Sequence, residues 1–174
     1  MAKLAFTKLS LKPNNEITII EFNEQAIEVK QYLPVEEKLE LIANVLELSH
    51  DQNNFSNPVK VSIYTALEII EKYCNITFTD KQKETPGKIY DLIIGNGLFE
   101  QIKQAIPQVE YDSLINGIET TIVSVYNYRN SIFGILEAVT ADYSNLQLDA
   151  NEIQQQLKDP ANLGLIKDIV TKLG

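Results

Sequence analysis

Two side chains carry the chemistry of a nucleophile and its base, Cys74 and His50, and each is the sole residue of its type in the chain. A cysteine–histidine pair needs a third group to orient the imidazole, and no spacing in this sequence supplies one. Cys74 lies inside an apolar helical pattern and reads as a small buried hydrophobe. With a single cysteine no internal disulfide can form, which fits a reducing compartment. His50 stands at the end of a helical pattern without the cysteine or carboxylate neighbours that a zinc site requires, and reads as a helix C-terminal residue. Gly95-Asn96-Gly97 lacks the lysine and hydroxyl residue of a phosphate loop and reads as a turn. The acid pairs Glu36/Glu37 and Asp149/Glu152 fit helix starts better than acid–base catalysis, and Asp142 to Glu152 lacks calcium-loop spacing. The expectation is no catalytic residue, no cofactor, no metal and no enzyme activity.

What remains is contact chemistry. Arg129 is the one polar residue in a long apolar stripe, readable as an interface or buried ion-pair residue or as a side chain snorkelling at the stripe's edge. Tyr126 and Tyr128 precede it, in a composition favoured at protein interfaces; core packing explains Tyr126 equally well, and Tyr128 points elsewhere on the helix. Tyr128 and Arg129, with Ile27 and Val29 of the N-terminal ribbon, are the candidate interface residues.

The elements that must position them follow from periodicity. Residues 1–33 read as strands: Leu4, Phe6 and Leu9 separated by polar residues, then Ile17 to Phe22 alternating, then Ala26 to Tyr32 with Ile27 and Val29 on one face and Glu28 and Lys30 on the other. Pro13-Asn14-Asn15 and Asn23-Glu24-Gln25 mark the turns. Pro34 opens a helix at its first position, with Val35, Leu39, Ile42 and Leu46 as the stripe and Leu41, Val45 and Leu48 widening it. Asn57-Pro58 caps a helix to Cys74 with Ile63, Ala66, Leu67, Ile70 and Tyr73 on one side; Thr79-Asp80 begins a polar turn, Thr85-Pro86 starts another helix, and a short one runs from Leu98 to Ile106. From about Val109 to Tyr143, residues at steps of three and four (Ile115, Ile118, Ile122, Val125, Arg129, Ile132, Leu136, Val139), apolar except for Arg129, predict one long helix, the central post of a bundle or an oligomer contact. Asp149 to Glu152 matches a capping box, and helices carrying Ile153 and Leu157, then Leu163 to Leu173, close the chain. The predicted fold is mainly α, a helical bundle with a small N-terminal antiparallel β-ribbon: residues 1–33 the ribbon, 34–174 the helical domain, together one folded unit.

The charge of −9 is spread along the chain with no run of five like charges, so it reads as solvated helix faces that repel phosphate backbones; no direct nucleic-acid partner is expected. The opening MAKLAFTKLSLK lacks the apolar core of a signal peptide, and no stretch approaches the roughly 18 apolar residues that span a bilayer, so no membrane partner and a cytoplasmic location are expected.

Several segments carry a resemblance: Ile27 to Lys38, Asn57 to Val61, Tyr126 to Ser131 and Asp142 to Leu146. Together they resemble a family of small proteins encoded by tailed bacteriophages and prophages of low-GC Gram-positive bacteria. The first 75 residues are also similar in pattern to tail assembly chaperones, which begin with a ribbon of the type FNxxxIxV; here Phe22-Asn23, Ile27 and Val29 match. The resemblance implies a non-enzymatic particle-assembly protein, chaperone-like or a minor virion component. Its partner would be a tail or head structural protein, self-association is possible, and it would act in the host cytoplasm or within the virion. The alternative is a phage-encoded inhibitor of a host enzyme or defence system. The resemblance carries over no catalytic residue.

Overall fold

The computed structural model describes residues 3–51 and 55–137. It is mainly α-helical with a two-stranded antiparallel ribbon near the N-terminus: β1 (Ile17–Phe22), β2 (Gln25–Lys30), α1 (Val35–Ser49), α2 (Pro58–Tyr73), α3 (Asp80–Lys83), α4 (Pro86–Gly95), α5 (Leu98–Ala105) and α6 (Gln108–Arg129). No helix among the described residues is long and apolar enough to cross a membrane. The chain divides into two compact units, Met1–Tyr126 and Asn127–Gly174.

The ribbon turns through Asn23 and Glu24, both at positive φ (48° and 63°), the type I′ pattern whose twist suits a two-residue hairpin. The expected earlier strand does not form. Phe6–Leu9 is instead a short 3-10 helix, and Leu4, Phe6, Leu9 and Leu11 are exposed. Leu9 falls out of phase with Leu4 and Phe6, so the segment presents no single apolar face. On the other side of the ribbon the outer edge of β2 is occupied: the Glu28 N–H donates to Asn75 Oδ1 (3.1 Å) and the Asn75 N–H to the Glu28 carbonyl (3.3 Å).

In α1, Pro34 takes the N-cap rather than the first helical position, with Glu36 and Glu37 in the first turn as expected. The buried stripe is Leu41, Val45 and Ser49, while Val35, Leu39 and Leu48 are exposed. It is thus turned about one residue around the helix from the expected face. In α2, the Asn57 side chain accepts from the Val59 and Lys60 N–H groups (2.9 and 3.3 Å) and Pro58 needs no donor, so the start is well capped. Ala66 to Ile70 and Tyr73 are all buried, which makes α2 the central helix of its unit. Thr79 and Gln82 form a reciprocal capping box on α3, where the sequence read only a turn. Gly97, at φ 74°, reverses the chain between α4 and α5.

The expected long post is shorter. α6 ends at Arg129, and the chain turns at Asn130–Ser131 before a second helical stretch over 132–137. The Ser131 N–H and hydroxyl both donate to the Tyr128 carbonyl (2.9 and 2.6 Å), ending the ladder there. Gly134 is required, because a Cβ would collide with the Tyr128 carbonyl. Only Glu110, Leu114 and Ile118 of α6 are buried, with Tyr111, Ile115 and Ile122 packed beside them. The stretch to Tyr143, the capping box at Asp149–Glu152 and the two C-terminal helices lie outside the described residues.

One core joins ribbon and helices: Ile27, Val29 and Leu33 pack in the same cluster as Leu41, Ile69, Ile70, Tyr73, Ile102 and Leu114.

Candidate protein-interaction site

Cys74 is buried at the end of α2, and burial pushes its thiol up to about 12, so it stays a thiol at neutral pH. His50 sits in a single-residue β-bridge with Ser56 beyond the end of α1. Among the described residues no three or more His, Cys, Asp and Glu side chains are grouped as a metal would need.

The strongest polar constellation is one that sequence reasoning missed. Glu110, 8% exposed, accepts from the Leu33 N–H (3.0 Å) and the Tyr73 hydroxyl (2.8 Å) on one oxygen and from Lys38 Nζ (2.8 Å) on the other. Lys38 also lies over the Tyr32 ring, 4.3 Å from its centroid. Burial alone would raise the Glu110 carboxyl, but the Lys38 ammonium and the Leu33 and Tyr73 donors together hold it below the usual carboxylate range. Burial and the Glu110 carboxylate push the Tyr73 hydroxyl far above its ordinary range. Every oxygen is used internally, so this arrangement ties the start of α6 to the β2–α1 junction and to α2. The signal was present in the sequence: Glu110 continues the line of Leu114 and Ile118 at steps of four.

A cleft of about 190 Å³ opens between α2 and α4, with Leu67, Phe78 and Ile89 in its wall and the Lys83–Glu71 pair (2.7 Å) beside them. Glu68, also in its wall, is largely buried; burial raises its carboxyl, while the Asn44 amide, donating to it at 3.1 Å, opposes that rise.

The four candidate interface residues differ in exposure. Ile27 and Val29 are 6% and 0% exposed, inside the core, so they are not available to a partner. β2 alternates as expected, but its apolar face is the one buried in the core. Tyr128 is 54% exposed and its hydroxyl donates to Glu137 (2.8 Å), whose carboxylate raises the Tyr128 hydroxyl above its ordinary range. Arg129, beside it at the end of α6, is exposed.

The open surface on the ribbon belongs instead to β1. The register pairs Phe22 with Gln25, Ile20 with Ile27 and Thr18 with Val29. The two-residue turn makes these the hydrogen-bonded pairs, and the Gln31 N–H bond to the Glu16 carbonyl (2.9 Å) continues the alternation. The backbone groups of Ile17, Ile19 and Glu21 therefore point away from β2. Among the described residues none of them meets a backbone or side-chain partner. Thr18, Ile20 and Phe22 turn inward, while Ile17 and Ile19 stand 52% and 68% exposed on the outer face. The result is one covered edge, at β2, and one open edge bordered by isoleucine.

No family model, no curated protein and no solved structure matches this chain.

Proposed function

We propose that this protein is a non-enzymatic, protein-binding assembly factor of a tailed-phage particle, acting in the host cytoplasm on a tail or head structural subunit. The single observation that carries the reading is the open β1 edge, with Ile17 and Ile19 exposed above it in a unit in which the buried side-chain polar groups of the described residues are satisfied. An extended strand of another chain docks on such an edge through main-chain hydrogen bonds, and the outer-face isoleucines supply apolar contact. Further support comes from the polar constellations, which are consumed in holding the fold, and from the sequence resemblance to phage proteins. Tyr128 and Arg129 are a second proposed contact.

The test is affinity capture from infected cells followed by identification of what is retained. Retention of a tail or head subunit, weakened by Ile19→Lys, is the expected outcome. Retention of a host enzyme in its place would favour an inhibitor. No particle component bound, together with normal particles after deletion of the coding sequence, would end the assembly reading.

A further inference from the structure

The open edge has a property that selects its occupant. Outward-pointing backbone groups occur at residues 17, 19 and 21. An antiparallel strand satisfies all three when it presents the same spacing, and β1 of a second copy does so. Only one antiparallel register keeps these residues opposite one another on both chains: Ile19 against Ile19 of the second copy, and Ile17 against its Glu21 in both directions. A shift one way sets Glu21 opposite Asn15, which lies before the start of β1, where the Asn14 side chain accepts the Glu16 N–H (3.0 Å). A shift the other way sets Ile17 opposite Asn23, which is in the turn at φ 48°. A dyad centred on Glu21 would also place two carboxylates face to face, which is disfavoured.

β1 carries none of the usual guards of an exposed edge: Ile17–Phe22 contains no proline, no lysine and no bulge. Its one charged residue, Glu21, is placed by the dyad opposite isoleucine and away from its own symmetry mate. On the outer face, Ile17 and Ile19 of both copies form one apolar strip across the join.

We infer that β1 pairs edge to edge with β1 of a second copy about a two-fold axis at Ile19, giving a continuous four-stranded antiparallel sheet. The inference rests on the reading of β1 as the binding edge but not on the identity of any phage partner. Three hydrogen-bonded residue pairs contribute about six main-chain bonds, and the pairing is isologous, as a closed dimer requires. When a structural subunit is present, its strand competes for the same edge.

Cysteine substitution reads the register in the full-length protein, because Cys74 is buried and unreactive. Ile19→Cys places two thiols at Cα separations of about 5.5 Å, within disulfide range. It is expected to form a covalent dimer roughly tenfold faster than Ile17→Cys alone, whose thiols lie several residues apart along the strands. Ile17→Cys mixed with Glu21→Cys is expected to give a mixed disulfide. In sedimentation equilibrium the unmodified chain is expected to be dimeric and Ile19→Lys monomeric, with unchanged circular dichroism, since Ile19 is exposed. A monomer up to the solubility limit, a dimer indifferent to Ile19→Lys, or equal cross-linking at positions 17 and 19 would each overturn the pairing. A monomer that still captures a particle subunit refutes the pairing alone; a dimer that captures none refutes the proposed function alone.

Discussion

Two buried glutamates show opposite electrostatics within the same fold. Glu110 is ionised and compensated, so removing Lys38 leaves a buried carboxylate short of its cation. Lys38→Met is expected to lower the unfolding free energy in urea by about 2–4 kcal/mol. Because the folded Glu110 is held below the unfolded carboxylate range, it stabilises the fold above that range, and the contribution is lost as pH falls through its folded value. Glu68 has the reverse sign. Burial raises its carboxyl, so its contribution is present below the unfolded carboxylate range and is lost as pH rises through the folded value. Glu110→Gln should therefore destabilise at neutral pH and flatten the acid limb of a stability-versus-pH curve. Glu68→Gln should be neutral or stabilising at neutral pH, and thermal unfolding across the acid range distinguishes the two. Neither role was legible from residue type. The position of Glu110 in line with Leu114 and Ile118 points to burial, but what sets the two acids apart is the hydrogen bonding that distant segments bring: Lys38, Leu33 and Tyr73 all donate to Glu110, whereas the Asn44 amide donates to Glu68.

At the scale of elements, the hairpin turn is imperfect in a useful way. Glu24 holds φ 63°, a region glycine occupies without steric cost. Asn-Gly is the favoured pair for this turn, so Glu24→Gly is expected to stabilise by about 0.5–1 kcal/mol, measured by urea midpoint. Gly134→Ala should have the opposite effect, disrupting the turn after α6, with a loss of helical signal expected in circular dichroism. Elements with local causes were legible in the sequence. Asn57-Pro58 capped α2, Gly95-Asn96-Gly97 made the turn before α5, and alternation drew β1 and β2. Two features were not, one for a local reason and one for a tertiary reason. The apolar stripe continues past Arg129, yet Asn130–Ser131 breaks the helix, since a serine that bonds the carbonyl three residues back competes with the helical ladder. The buried face of α1 likewise depends on where α2 lies, which seven apolar residues on that helix do not specify.

Across the molecule, burial is uneven, and stability should follow it. Side chains of α2 from Ala66 to Ile70 are buried, while Val123 and Tyr126 in the latter part of α6 are each 56% exposed. Native-state hydrogen exchange is expected to be slowest in α2 and faster by orders of magnitude in residues 123–129 of α6; uniform protection along α6 would contradict this. The general architecture, helices with a ribbon at the front, was within reach of periodicity. The open edge was not, because a strand's outer hydrogen bonds depend on register and on what Asn75 covers, and Asn75 is 47 residues from Glu28. That small side chain has a larger consequence. By occupying the middle of the β2 edge at Glu28, it stands in the way of a strand adding on that side, so each copy can accept a single added strand. A chain with two bare flanks would string into fibres; this one reaches a finite stop after its first union.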